Sequence, residues 1–309
     1  MQKAIETGRH DLYTRITAQI VASLESGVRP WVKPWNAEHA AGSITRPLRH
    51  NGQPYSGINV VSLWASTFAQ NFAAPIWMTF RQALELNGHV RKGEKGSLVV
   101  YADCFTRKDT DEATGDETER EIPFLKAYTV FNVEQIDGLS AIYYARLAPS
   151  LDPALNPAAR IERAEKFFAA TGAAIQHGGT SAFYRPSTDS VQMPPFESFR
   201  NADGYYATLA HELTHWTGHK SRLDRSFGEH RFGSNAYAQE ELVAELGAAF
   251  LCADLELELA PREDHASYIA NWLEVLKSDN RAVFTAAAHA QRAADFIHKA
   301  SAQPAEAAA

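Results

Sequence analysis

YYATLAHELTHWTGH, Tyr205 to His219, sets two histidines four residues apart around a glutamate, in a run that otherwise reads as buried helix. Residues four apart on a helix lie one turn above each other, so the imidazoles of His211 and His215 converge on one point. Glu212 sits beside them, where its carboxylate can hold a water molecule. The apolar neighbours Leu209, Ala210, Leu213 and Trp216 place this helix between layers, and a packed helix holds ligands more rigidly than a loop does. The pattern is that of a metal site.

A catalytic metal site of this kind takes three protein ligands and leaves one position open. The stretch YAQEELVAELGAAF, Tyr237 to Phe250, supplies Glu240, Glu241 and Glu245 on a helix whose apolar residues turn part of the acidic set inward. We place Glu241 on the metal and expect Glu245, on the same face, to accept an N–H from a ligand histidine. A second scheme is weaker. Gly218 follows His215 by three residues, as in metzincins, but the position three further on is Ser221 rather than a histidine. His219 directly follows the glycine and is expected to contact substrate, cap the helix or support a ligand. The chemistry is that of a zincin metallopeptidase: the metal acidifies a water, Glu212 accepts its proton and passes it to the leaving amine. Tyr205, Tyr206, His219 and Arg222 are the nearby candidates for stabilising the oxyanion. Nitrogen and oxygen donors suit zinc and also admit manganese.

Working outward, the 309 residues separate into two parts. DLYTRITAQIVASLESG and GINVVSLWASTFAQ read as amphipathic helices, and TFRQALELNG as a shorter one stopped by Gly88. SLVVYADCF and IPFLKAYTVFNV read as strands, joined by TRKDTDEATGDETERE, whose seven acidic residues mark an exposed hairpin extension expected to be mobile. A turn-rich linker follows near residues 145–155. NPAARIERAEKFFAATGA then opens a helix, with Asn156 as cap and Pro157 in the first position. Short strands are expected at AAIQH, SAFYRP and DSVQMPP, and helices at the metal motif and in three later segments. The fold class is α+β with two domains, residues 1–150 and 151–309.

The formal charge of −7 is unevenly spread: residues 1–100 carry eleven Lys or Arg against six Asp or Glu, and residues 151–309 fourteen against twenty-one. An anionic partner would be expected at the first part, although charge alone equally describes an ordinary solvated basic surface. Single-stranded DNA, the anionic partner implied by the family resemblance set out below, would be gripped by cations that follow phosphates and by aromatic faces that stack on bases. The candidates are Arg29, Trp31, Lys33 and Trp35, alternating in one short segment, then Arg49, Tyr55 and Asn59, and the glycine-punctuated turn with Arg91, Lys92 and Lys95. No Walker motif is present, so a P-loop nucleotide site is not indicated. Cys104 and Cys252, far apart and outside any CxxC pair, point to neither a disulfide framework nor a thiolate metal site. With no signal-peptide pattern and no run of eighteen apolar residues, the expected setting is cytoplasmic, away from any membrane.

Together these segments resemble the ArdC family of plasmid-encoded antirestriction proteins, which is related to the N-terminal portion of TraC-type primases. DLYTRITAQIVASLESGVRPWVKPW, RPLRHNGQPYSGINVVSLW, WMTFRQALELNGHVRKGEKGSLVVY and FNVEQIDG carry the resemblance in the first part. FYRPSTDSVQMPPFESF, YYATLAHELTHWTGHKSRLDR and YAQEELVAELGAAFL carry it in the second. The resemblance implies an N-terminal domain that binds single-stranded DNA and a C-terminal zincin-like metallopeptidase domain. It puts metal on His211, His215 and an acidic residue of the EELVAE segment, with Glu212 as the catalytic carboxylate. It implies protection of incoming conjugative DNA, with a protein substrate or a component of the host restriction machinery as further partner. It also admits transfer to the recipient cell with the DNA. The alternative function is a non-enzymatic DNA-binding protein whose zincin domain is structural or recognises protein.

Overall fold

The computed structural model describes residues 2–32, 45–110, 117–144, 157–228, 234–259 and 265–302. Helix α1 (Gln2–Glu25) buries Ile16, Ile20 and Leu24 along one stripe, and the chain leaves it through Gly27 at a left-handed φ of 77°. Strand β1 (Leu48–Arg49) precedes helix α2 (Ile58–Gln70) and strand β2 (Ile76–Thr79). Helix α3 (Phe80–Glu85) starts on a reciprocal cap: the Thr79 hydroxyl accepts the Gln82 N–H at 3.2 Å, and the Gln82 side chain accepts the Thr79 N–H at 2.8 Å.

Strand β3 (His89–Val90) pairs with β6 (Ile136–Asp137), while β4 (Ser97–Thr110) and β5 (Glu117–Asn132) complete a four-stranded sheet of order β1-β2-β5-β4. Strand β2 shows why this sheet is covered on both sides. Trp77 faces the large core with Val99 and Val130, whereas Ile76 and Met78, one pleat out of phase, face a second cluster with Ala83, Val133 and Ile136. The β4–β5 ladder runs from the Ser97–Val130 pair to the Thr110–Glu117 pair. The acidic extension therefore begins and ends as strand, and residues 111–116 lie outside the described residues.

In the second part, α4 (Pro157–Ala169) begins at the expected proline; its Asn156 cap and the 145–155 linker lie outside the described residues. Strands β7 (Ala174–His177), β8 (Phe183–Arg185) and β9 (Ser190–Met193) form a sheet of order β7-β9-β8. Helices α5 (Ala202–Thr217), α6 (Asn235–Leu255), α7 (His265–Ser278) and α8 (Ala282–Ala302) follow. Helix α6 is apolar on nearly every side because α5, α7 and α8 all pack against it. It comes so close to α5 that a Cβ added at Gly247 would lie 2.6 Å from the Thr214 methyl carbon.

The architecture is thus two-domain α+β, with a mixed sheet and helices in the first part and a mainly helical second part. The two parts share one hydrophobic core: Ile20, Trp31, Trp64 and Trp77 belong to the same cluster as Leu213, Phe250, Trp272 and Ala287. Polar contacts follow the seam. The Thr17 hydroxyl donates to the Asn280 carbonyl at 2.7 Å, and buried Arg46 meets Asp254 at 2.7 Å.

Candidate metal centre

Helix α5 is fixed at its start by Asn201, whose side chain accepts the Gly204 N–H at 2.8 Å, and it runs into the core with His211 and Glu212 only 5% and 3% exposed. One turn apart, the Nε2 atoms of His211 and His215 stand 3.2 Å from each other. Helix α6 brings in Glu241, one oxygen 3.6 Å from the His211 Nε2 and the other 3.5 Å from the His215 Nε2. Among the described residues these three form the group of His, Cys, Asp or Glu donors placed to hold a metal ion.

The donor set fits such an ion. Two histidines and a glutamate are a usual donor set for such an ion, and one donor atom from each of the three lies within 4.8 Å of the others. The electrostatics agree. Burial opposes protonation of His215, yet its hydrogen bond to the Glu240 carboxylate and the charges of Glu241, Glu240 and Glu212 outweigh it and raise its pKa to about 9. Burial likewise opposes ionisation of Glu241, but His211 and His215 hold its pKa down at about 2. A pocket that draws a proton onto a buried histidine attracts a metal cation for the same reason. This is a site for a divalent metal.

The residues around the donors differ in part from expectation. His215 Nδ1 meets Glu240 at 3.0 Å, and Glu240 in turn takes a two-pronged ion pair from buried Arg225, at 2.6 and 2.8 Å. Arg225 also donates to the Thr214 carbonyl and the Thr217 hydroxyl, which ties it to α5. Glu240 is thus a supporting carboxylate the sequence reading did not assign. The available signal was its place beside Glu241, one helical step around the same helix. Glu245 does face the other ligand: its carboxylate is 3.8 Å from His211 Nδ1, too long for a hydrogen bond, and that nitrogen has no hydrogen-bond partner among the described residues. Tyr237, one turn before Glu241, was also missed; its hydroxyl bonds the Glu241 carboxylate and lies 3.0 Å from the Tyr268 hydroxyl.

Glu212 is buried beside the pair, near enough for its charge to act on His215. The other candidates have separate tasks. The Tyr205 hydroxyl is engaged 2.8 Å from His177 on β7, and the Tyr206 ring stacks on Phe168 of α4. His219 closes the turn after α5 on Ser221 at 2.8 Å, while Arg222 lies over Trp216 and pairs with Asp189.

The proposed DNA-binding residues are not equally available at the surface. Trp31 is fully buried, with its indole N–H donated to Glu245 at 3.2 Å, and Arg29 pairs with the same carboxylate at 3.3 Å. Neither is a surface contact, a correction with a plain cause: the RPW turn is an anchor in the shared core. Lys33 and Trp35 lie outside the described residues. Tyr55 is buried beneath Arg49, and Asn59 is spent on strand β4, exchanging bonds of 2.8 and 2.7 Å with the Val100 backbone. Arg91 is held by Glu94, Asp137 and the Glu134 carbonyl. Arg49, Lys92 and Lys95 remain exposed, as do the aromatic side chains of Phe80, Tyr101 and Tyr128, which the sequence reading did not single out.

Residues 10–131 match the family described as the N-terminal domain of anti-restriction factor ArdC, and residues 162–289 match the zincin-like metallopeptidase family. The uncharacterized protein y4eC of Sinorhizobium fredii (strain NBRC 101917 / NGR234) is 48% identical over 292 residues, covering 93% of this chain and 92% of its own length. A DNA primase TraC of Escherichia coli is 40% identical over 92% of this chain, but the match spans 27% of that much longer protein. Two crystal structures of the antirestriction ArdC protein from the R388 plasmid superpose with a TM-score of 0.76, over 94% of this chain and 98% of theirs. One is metal-free, at 47% identity, and the other Mn(II)-bound, at 45%.

Proposed function

We propose, starting from a chain that belongs to the ArdC family of antirestriction proteins, that it binds single-stranded DNA and shields incoming conjugative DNA from restriction. In this reading residues 1–150 meet the DNA, and residues 151–309 hold a divalent ion in a module that stabilises the fold or recognises protein. The observation that carries it is the match in fold, over 94% of this chain, to an antirestriction ArdC protein that has been seen with Mn(II) bound. Zinc is the ion we favour, because two histidines and a glutamate are a usual zinc donor set. Single strands would meet the exposed cations Arg49, Lys92 and Lys95, and the aromatic faces of Tyr101, Tyr128 and Phe80 offer stacking surfaces in the same part.

A second reading is favoured by one specific observation, the burial of Glu212 beside the donors. A carboxylate in that place can take a proton from an attacking water and return it to a leaving amine, the work of a peptidase base. The bound ion would supply Lewis-acid polarisation of a carbonyl. Glu241 and the two histidines would hold the ion, and Glu240 with Arg225 would keep His215 turned toward it.

The two readings separate in one comparison. Restriction of incoming conjugative DNA is measured in cells with equal amounts of the wild type, Glu212→Gln and a Lys92→Ala/Lys95→Ala variant. We expect Glu212→Gln to protect as well as wild type and the double-lysine variant to protect less. Loss of protection in Glu212→Gln, with metal content and folding intact, would overturn the non-enzymatic reading in favour of chemistry.

A further inference from the structure

Part of the support around the metal centre comes from the other half of the chain. Glu245 of α6 is 4% exposed and faces His211 Nδ1 at 3.8 Å, and its other oxygen accepts from Arg29 at 3.3 Å and from the Trp31 indole at 3.2 Å. A buried carboxylate needs partners that fix it and offset its charge. Here the described partners lie more than 200 residues away in sequence, in the turn after α1. The Trp31 ring also opens a packed path to the third donor. It meets Trp272 edge-on at 5.9 Å, Trp272 stacks with Tyr268 at 6.3 Å, and the Tyr268 hydroxyl is 3.0 Å from that of Tyr237, which bonds Glu241.

We propose that Arg29 and Trp31 are positioning residues of the metal centre: they hold the Glu245 carboxylate 3.8 Å from His211 Nδ1, ready to accept from that nitrogen once the ion is bound, so the N-terminal segment is required for tight metal binding. The proposal rests on the reading of His211, His215 and Glu241 as metal donors. Its physical content is simple. A ligand histidine binds well when the nitrogen opposite the metal is held by an acceptor, and losing such an outer partner typically weakens metal binding about 10- to 100-fold. The unpartnered His211 Nδ1 is the group that needs this acceptor, and Glu245 is the nearby carboxylate aimed at it. The segment that looked like a DNA-stacking platform thereby becomes part of the metal centre's support. Metal and first-part ligands would then be linked reciprocally wherever those ligands move the RPW turn.

The test uses the full-length protein and Zn(II) alone, with affinity measured by competition against a chromophoric chelator. Thermal midpoints of the metal-free proteins check folding. Trp31→Phe keeps the ring packing and deletes the N–H; Arg29→Met, at the edge of the core, deletes the charge. Each is expected to lower Zn(II) affinity by about tenfold or more, and Arg29→Lys to recover most of the loss. In a Glu245→Gln background the Trp31→Phe change should have little further effect, because the two act through one group. A merely structural role would give neither the lysine rescue nor this loss of additivity. Wild-type affinity in both Trp31→Phe and Arg29→Met would overturn the inference while leaving the metal site standing. Failure of the wild type itself to bind Zn(II) would overturn the metal reading and the inference together.

Discussion

The metal centre and the DNA-contacting set were read from the same sequence with the same kind of reasoning, yet the structure gathers the donors of the first and buries or engages several members of the second. His211, Glu212 and His215 share one helix, where a spacing of four fixes their relation before any tertiary contact forms. Glu241 sits on a second helix, but the apolar residues around it leave few ways to turn that helix against the first. The candidate DNA residues instead come from a turn, a strand edge, a helix start and a loop. Their relation depends wholly on tertiary packing, and packing claimed Trp31, Tyr55 and Asn59 for the interior or the sheet. Within one periodic element, spacing is a distance; between elements it is not.

The largest expected effect tests the region where the reading converged. His211→Ala or His215→Ala removes a donor outright, so metal affinity should fall by more than about 100-fold, exceeding the loss of an outer partner. Metal content after dialysis against trace Zn(II) measures it. Unchanged stoichiometry in both variants would end the assignment and erase the contrast between the two regions.

A second prediction concerns how α5 and α6 are kept in register. Gly247 lets the helices touch: an added Cβ would sit 2.6 Å from the Thr214 Cγ2 and 2.7 Å from its Oγ1, and that hydroxyl already donates to the Ala210 carbonyl at 2.8 Å. Threonine is stiff at χ1, so it yields poorly. Gly247→Ala should destabilise the metal-free protein by about 1–3 kcal/mol, the usual cost of overpacking. It should also weaken metal binding, since Glu241 moves with its helix. A thermal midpoint equal to wild type would show that the crossing is looser than drawn and that Glu241 is held by its own partners.

Much of the fold was legible because long segments carried local signals: the helical stripe that stops at Gly27, the strand runs around Val99 and Val130, and the proline that opens α4. The shared core was not legible. Nothing local in RPWVKPW distinguishes a tryptophan that stacks on a base from one that packs on Trp272, because both demand a flat apolar ring beside a cation. Glu240 was illegible for a related reason. Two adjacent glutamates on a helix point about 100° apart, and only Arg225, fifteen residues earlier, decides that one carboxylate braces His215 while the other faces both rings.

The smallest expected effect divides a cluster that the sequence treated as one. Arg91, Lys92 and Lys95 stand together in the turn before β4, yet Arg91 is bonded to Glu94, Asp137 and the Glu134 carbonyl, while no ion pair of Lys92 or Lys95 is found among the described residues. The Gln135 side chain joins the same brace, donating to Glu94 and to the Lys95 carbonyl, each at 3.0 Å. Arg91 therefore serves the shape of the turn, and its charge is already met by two carboxylates. The lysines present their charge outward. If single strands lie across this turn, each lysine that meets a phosphate releases a counterion, and removing it should flatten the salt dependence of log affinity by about 0.7 per contact. Lys92→Ala and Lys95→Ala should each show that change in an anisotropy titration of a labelled single strand against salt. Arg91→Met should leave the slope near wild type and lower stability by at most about 1 kcal/mol, as for exposed ion pairs. A flattened slope in Arg91→Met alone, with both lysine variants unchanged, would mean that DNA breaks the internal pairs to reach the arginine. The turn would then be a surface remade on binding, and its cations would have to be assigned from the bound state.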